Sequence, residues 1–196
     1  MANSPKVIPM IAVALWALSI SPAKSQEWRC PGLEGAKPKE LMGYLQGDRS
    51  SLQRDCVLHA IERLGIRKYV PAVSVLIKYI DYPRPADDGG VHTHAQAVGY
   101  LYPAVSSLYR IGKPSVPALI SAIAGIESSD LIRTNAAITI FEMHSGKEVG
   151  EGIALVMRAS REEQDWDSKL RLEKAARYLA SRCSAQIQNA CMAALQ

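Results

Sequence analysis

None of the common short catalytic signatures occurs in this chain of 196 residues. It has no G-x-S-x-G, no H-E-x-x-H, no phosphate-binding glycine loop and no C-x-x-C. Those absences remove nucleophile-elbow hydrolases, helical zinc proteases, P-loop enzymes and dithiol redox chemistry from consideration. Phenylalanine occurs once, and neither sign of charge dominates, the formal net charge being +4. No apolar run reaches the roughly 20 residues of a membrane-spanning helix. The longest, Val7 to Ile20, stops at about 14 residues and contains Pro9.

That run has a different use. With Lys6 before it and Ala23-Lys24-Ser25 after it as a small-x-small site, residues 1–25 read as a secretory signal, so the mature chain is expected to begin at Gln26. The expected location is therefore periplasmic or extracellular. No cysteine follows the run at a lipoprotein-like position, and the mature chain is expected neither to span nor to be anchored in a membrane. Cleavage would remove Lys6 and Lys24 and no acid, lowering the net charge from +4 to +2. A nucleic-acid partner loses its main support at that value.

All four cysteines, Cys30, Cys56, Cys183 and Cys191, fall in the expected mature part. An even number in an oxidising compartment reads as two disulfides rather than four buried thiols. Of three possible connectivities, Cys30 with Cys56 and Cys183 with Cys191 is favoured, because each pair is local and near one end. Eight residues along one helix would hold two α-carbons about 12 Å apart, so the chain must turn between Cys183 and Ile187.

The most informative pattern is a repeated phrase in which an apolar helical stretch closes on glycine and valine reopens helix a few residues later. Its copies are Arg63-Leu64-Gly65 before Val70-Pro71-Ala72, Arg110-Ile111-Gly112 before Val116-Pro117-Ala118, and a weaker His144-Ser145-Gly146 before Val149. Pro38–Gln46 reads as a short helix. Ser50 and Gln53 read as a capping box opening the next, with Gly65 at its left-handed C′ position. Residues 94–111 are helical in spacing, yet Gly99 and Pro103 predict a kink or a fresh start at Tyr102. Ser128-Ser129-Asp130 and Asp165 to Ser168 look like helix starts, and a short helix from Ile187 to Leu195 closes the chain.

These phrases, with Arg133-Thr134-Asn135-Ala136-Ala137 and Lys174-Ala175-Ala176-Arg177-Tyr178-Leu179 as first-helix segments, resemble HEAT repeats of the short bacterial type that includes the phycobilin-lyase-like repeats. The resemblance covers roughly Ser50 to Leu195. It implies an all-α solenoid of about four helical hairpins over residues 50–196, preceded by a capping segment 26–49 and interrupted by an insertion at 82–94. It also implies a scaffold or adaptor, a protein partner and no cofactor. Chromophore attachment is not carried over, since an exported chain is in the wrong compartment for it.

Three groups of residues are candidates for function. Cations recur at the hairpin turns, Arg67 with Lys68, Arg110 with Lys113, then Lys147, and could form a ridge toward an acidic protein face or an anionic envelope polymer. Five of the eight tyrosines, Tyr79, Tyr82, Tyr100, Tyr102 and Tyr109, flank the insertion and suit either core packing or recognition. In the insertion itself, His92 and His94 would share one side of an extended segment, and Asp87 or Asp88 could complete a zinc or copper shell. That donor set is the basis of an alternative function, metal binding or metal-dependent hydrolysis. His59 and His144 lie in helical patterns and read as structural.

Overall fold

The computed structural model describes residues 30–85, 94–144 and 149–196. The expected signal, the 86–93 part of the insertion with Asp87, Asp88 and His92, and the 145–148 turn with Lys147 lie outside the described residues. What is described is all-helical, as the sequence reading held.

Among the described residues ten α-helices follow one another: α1 (Pro38–Leu45), α2 (Arg54–Ile66), α3 (Val73–Ile77), α4 (His94–Leu101), α5 (Pro103–Ile111), α6 (Val116–Ala124), α7 (Asp130–Met143), α8 (Val149–Glu162), α9 (Trp166–Ser181) and α10 (Gln188–Ala193). Single 3-10 turns at Val70–Ala72 and Lys113–Ser115 lead into α3 and α6. Local chemistry sets most of the boundaries. Pro38 and Pro103 each occupy a first turn, where a missing N–H leaves nothing unsatisfied. The oxygens of Ser129 and Asp165 accept the backbone N–H of Ile132 (3.2 Å) and Ser168 (2.7 Å), capping α7 and α9.

Two boundaries differ from the sequence reading. The helix expected after Ser50 begins only at Arg54, with Gln53 as its N-cap. Ser50 is engaged elsewhere: its N–H and hydroxyl donate to Asp48 Oδ1 at 3.0 and 2.9 Å, so the N–H that a capping box would offer to Gln53 goes to the Asp48 carboxylate. At the other end, α2 continues past Gly65. Lys68 takes the left-handed conformation (φ 48°), with Lys68 N–H donating to Gly65 O and Tyr69 N–H to Leu64 O, the paired bonds of a Schellman cap. Gly65 serves packing instead. A Cβ there would lie 2.4 Å from Ser107 Oγ and 2.6 Å from Ser107 Cα, so the missing side chain lets α5 lie directly on α2. Gly112, by contrast, does require glycine for its backbone (φ 79°, ψ −145°).

The helices pack in a recurring order. α1 lies on α2, and a first row runs α2 to α5 to α7 to α9, each on the next. α3 packs on α5 and α6, and α10 packs on α8 and α9. Simple stacking of hairpins would also set α6 against α8. The larger contacts are those of α9, which packs on both α6 and α8. The core threads all of this: Leu41, Ile61, Leu64, Leu76, Leu108, Leu119, Ile123, Ile140, Ile153 and Leu172 are fully buried. Asn135, buried in α7, donates from Nδ2 to Ile80 O (2.8 Å) and fastens α7 to the chain after α3.

Both favoured disulfides are present. Cys30–Cys56 ties the N-terminal segment to the first turn of α2, and Cys183–Cys191 ties the end of α9 to α10. Among the described residues, no helix is long and apolar enough to cross a membrane.

Candidate functional site

Because the helices alternate in direction, the connecting turns divide between two opposite edges of the stack. One edge holds the α2–α3 and α5–α6 turns, and the end of α7 joins them there, Ser115 Oγ approaching Met143 Sδ at 4.0 Å. At the other edge the α6–α7 and α8–α9 turns meet. Ala124 O accepts from Ser168 Oγ (3.3 Å) and from Arg171 Nε (2.6 Å).

The candidate residues distribute over these edges. Lys68 and Lys113 are exposed on the first edge, with Arg67 and Arg110 beside them. Arg67 also donates from Nη1 to Ala36 O (2.6 Å), holding the N-terminal segment. Tyr109 is exposed on this edge, away from the other tyrosines of its group.

The remaining tyrosines gather where the chain leaves the stack after α3 and returns through α4. Arg49 lies over two of them, 5.2 Å from the Tyr79 ring centroid and 5.1 Å from that of Tyr82, while Nη2 reaches Asp81 Oδ1 at 3.4 Å. Tyr79 is core, its hydroxyl donating to Leu45 O at 2.9 Å. Burial pushes its phenol above the ordinary value, and the Arg49 charge opposes that shift. Tyr82 is half-buried and meets Tyr79 edge to face, ring centroids 5.8 Å apart.

A second arginine closes the excursion. Arg84 pairs with Glu62 of α2, donates from Nε to Tyr100 O (3.1 Å) and sits 4.6 Å from the Tyr100 ring centroid. Its backbone N–H donates to Leu101 O at 2.7 Å, so the two ends of the 85–100 excursion are in contact. Each cation over an aromatic face adds about 0.5–2 kcal/mol, the larger value where water is excluded. The Arg84 side chain is only 10 % exposed, which places it toward that end. Tyr102 is half-buried against the core at the break between α4 and α5. Tyr82 and Tyr100 therefore meet the arginines of one stem, Tyr102 follows at the α4–α5 break, and Lys68 and Lys113 lie on the first edge.

His94 opens α4, and the rest of the proposed metal donors, Asp88 and His92, fall outside the described residues. Among the described residues, no group of three or more His, Cys, Asp or Glu side chains could hold a metal ion. His59 and His144 are both buried, in α2 and at the end of α7. Glu142, one residue before His144, is held above the usual carboxylate range by burial, with Arg182 opposing the shift.

Sequence reasoning did not single out Arg49, Glu62 or Arg84. Their partners lie 16 to 33 residues away, Arg49 to Tyr82 being 82 − 49 = 33, and no local spacing rule connects an arginine to a ring at that distance. Compared with family models, curated proteins and solved structures, the chain finds no match.

Proposed function

We propose that the chain is an exported HEAT-like scaffold that binds another protein, with its contact at the 82–94 insertion and the tyrosine-lined stem beneath it. The observation that carries this reading is the closed stem. Arg84 joins α2, Tyr100 and Leu101 at one point, so the intervening sequence is presented from a fixed base of packed helices. Recognition residues are commonly borne on segments that a rigid framework positions in this way. Tyrosine at the rim supplies contact area at low entropic cost. The exposed Lys68 and Lys113 favour an acidic partner through long-range attraction. Two disulfides agree with an oxidising compartment.

The test is affinity capture from the envelope fraction of the source cells. The intact protein is compared with a variant in which residues 86–93 are replaced by a short glycine-serine link, leaving both arginine clamps in place. One protein captured by the intact chain and not by the variant supports the reading. Equal capture by both moves the contact away from the insertion, and no specific protein in either sample rejects a protein partner in favour of an anionic polymer or a small ligand.

A further inference from the structure

Four turns of the stack differ in charge: the α2–α3 and α5–α6 turns at the first edge are basic and the α6–α7 and α8–α9 turns at the second are acidic, while the end of α7 brings Glu142 toward the first edge. The sequence windows at the first edge, 63–70 and 109–116, contain Arg63, Arg67, Lys68, Arg110 and Lys113 and no acid. Those at the second edge, 126–130 and 162–167, contain Glu127, Asp130, Glu162, Glu163, Asp165 and Asp167 and no cation. Arg133 and Arg171 lie behind the second edge, but their guanidinium groups bind the Ala124, Gly125 and Ile126 carbonyls as well as Asp130 and Asp165. Arg161 and Lys169 flank it on α8 and α9.

Each edge also exposes large apolar side chains among its charges. Ile66, Val70 and Tyr109 are 46–56 % exposed at the basic edge, and Ile126 and Trp166 are 77 % and 72 % exposed at the acidic one. An exposed tryptophan in the first turn of a helix is not explained by packing, and tryptophan is enriched among residues that anchor interfaces. α6 runs from one edge to the other, nine residues or about 13 Å, so the two patches face away from each other on one molecule. They cannot satisfy one another within a single chain.

We propose that the basic edge of one copy docks on the acidic edge of a second copy, with Trp166 and Ile126 set against Ile66, Val70 and Tyr109. The occupant follows from complementarity: each set of turns calls for a surface of opposite charge that also exposes apolar side chains, and the other set of turns on the same molecule is such a surface. Such a contact is head-to-tail, so it leaves one unused edge of each kind and continues into open chains rather than closing as a two-fold dimer. Two turns on each side make a small interface, which places the association at about micromolar strength or weaker and makes it sensitive to salt. This inference does not need the insertion, but it assigns to a second copy the same Lys68 and Lys113 that the adaptor reading assigns to an acidic partner.

Sedimentation velocity of the purified protein provides the test. At low salt the weight-average sedimentation coefficient should rise with concentration, and in about 1 M salt, where the screening length falls to about 3 Å, it should return to the monomer value. Lys68→Glu with Lys113→Glu disables the basic edge alone, and Ile126→Ser with Trp166→Ser disables the acidic edge alone. Either double variant should lose at least about tenfold in self-association. Mixed in equal amounts, the two variants should form a one-to-one dimer that grows no further, because one intact edge of each kind remains. That recovery also shows that both variants are folded. A wild-type protein that stays monomeric at every concentration in low salt overturns the proposal, as does a mixture that recovers nothing or variants that associate as the parent does.

Discussion

Replacing Gly65 by alanine puts the observed helix contact to a direct energetic test. On an exposed helical surface this change stabilises by about 1 kcal/mol, because alanine loses less backbone entropy. Here the new methyl carbon would fall 2.4 Å from Ser107 Oγ, 2.5 Å from Ser107 Cβ and 2.6 Å from Ser107 Cα. The last is a backbone atom, so a rotamer change cannot relieve the clash and α2 and α5 must separate by about 1 Å to restore contact distance. Separation also breaks the buried bond from Ser107 Oγ to Ile61 O, 2.9 Å long, at about 1 kcal/mol. That loss cancels the gain in helix propensity. What remains is the overpacking term, about 1–3 kcal/mol, with the upper end expected because backbone must move. For a domain of this size the melting temperature should fall by roughly 4–10 °C, measured with both disulfides intact. Adding Ser107→Gly should return part of the loss, giving a non-additive double-mutant cycle. A melting temperature that is unchanged or raised in Gly65→Ala would refute the close approach of the two helices.

Four further outcomes follow from the same contacts. Serine replacement of Cys30 and Cys56, which are 26 residues apart, should destabilise by about 3.5 kcal/mol. The same replacement of Cys183 and Cys191, 8 apart, should cost about 2.5 kcal/mol, and denaturant unfolding that reverses this order would contradict the loop-closure account. Arg84→Lys keeps the charge but cannot span Glu62 and Tyr100 at once, so hydrogen exchange of the residue-84 amide should accelerate by about tenfold, and unaltered exchange would show that the clamp does not hold the stem. Ser168 N–H holds the Asp165 carboxyl below its ordinary 3.8, so the cap stabilises the fold above that pH and is lost as pH falls below it. Asp165→Asn, which still caps, should flatten the acid side of the melting-temperature profile, and an unchanged profile would assign the acid sensitivity elsewhere. Lys68→Gly relieves a left-handed lysine and should raise stability by a few tenths to about 1 kcal/mol in denaturant titration, with a loss counting against the cap geometry.

What could be read from the sequence was local. The caps at Ser129 and Asp165 depend on a side chain and an amide three residues on, and the break at Tyr102 depends on the proline that follows. The cysteine pairing was legible because each partner lies near its mate along the chain. Gly65 was misread because one residue type answers two needs, a left-handed turn and a close approach, and only the neighbouring helix distinguishes them. Ser50 was misread because Asp48, two residues earlier, takes the Ser50 N–H that Gln53 would accept from in a capping box. Arg49 and Arg84 could not be placed at all, since the rings and carboxylates they join come together only once α2, α4 and the end of α3 are packed. The packing of α9 on both α6 and α8 is of the same kind, a property of the assembled helices rather than of any one of them.

The two disulfides close short loops at the extremities and none across the middle. Each also pulls an extra piece of chain over a terminal surface: the segment before α1 is fastened beside α2, and α10 is fastened across α8 and α9. Helical arrays lengthen by adding units at their ends, and here both ends are covered and covalently fixed. Under the proposed edge-to-edge contact, a larger assembly of this protein would be a row of finished blocks joined through the turns and not a longer helix array.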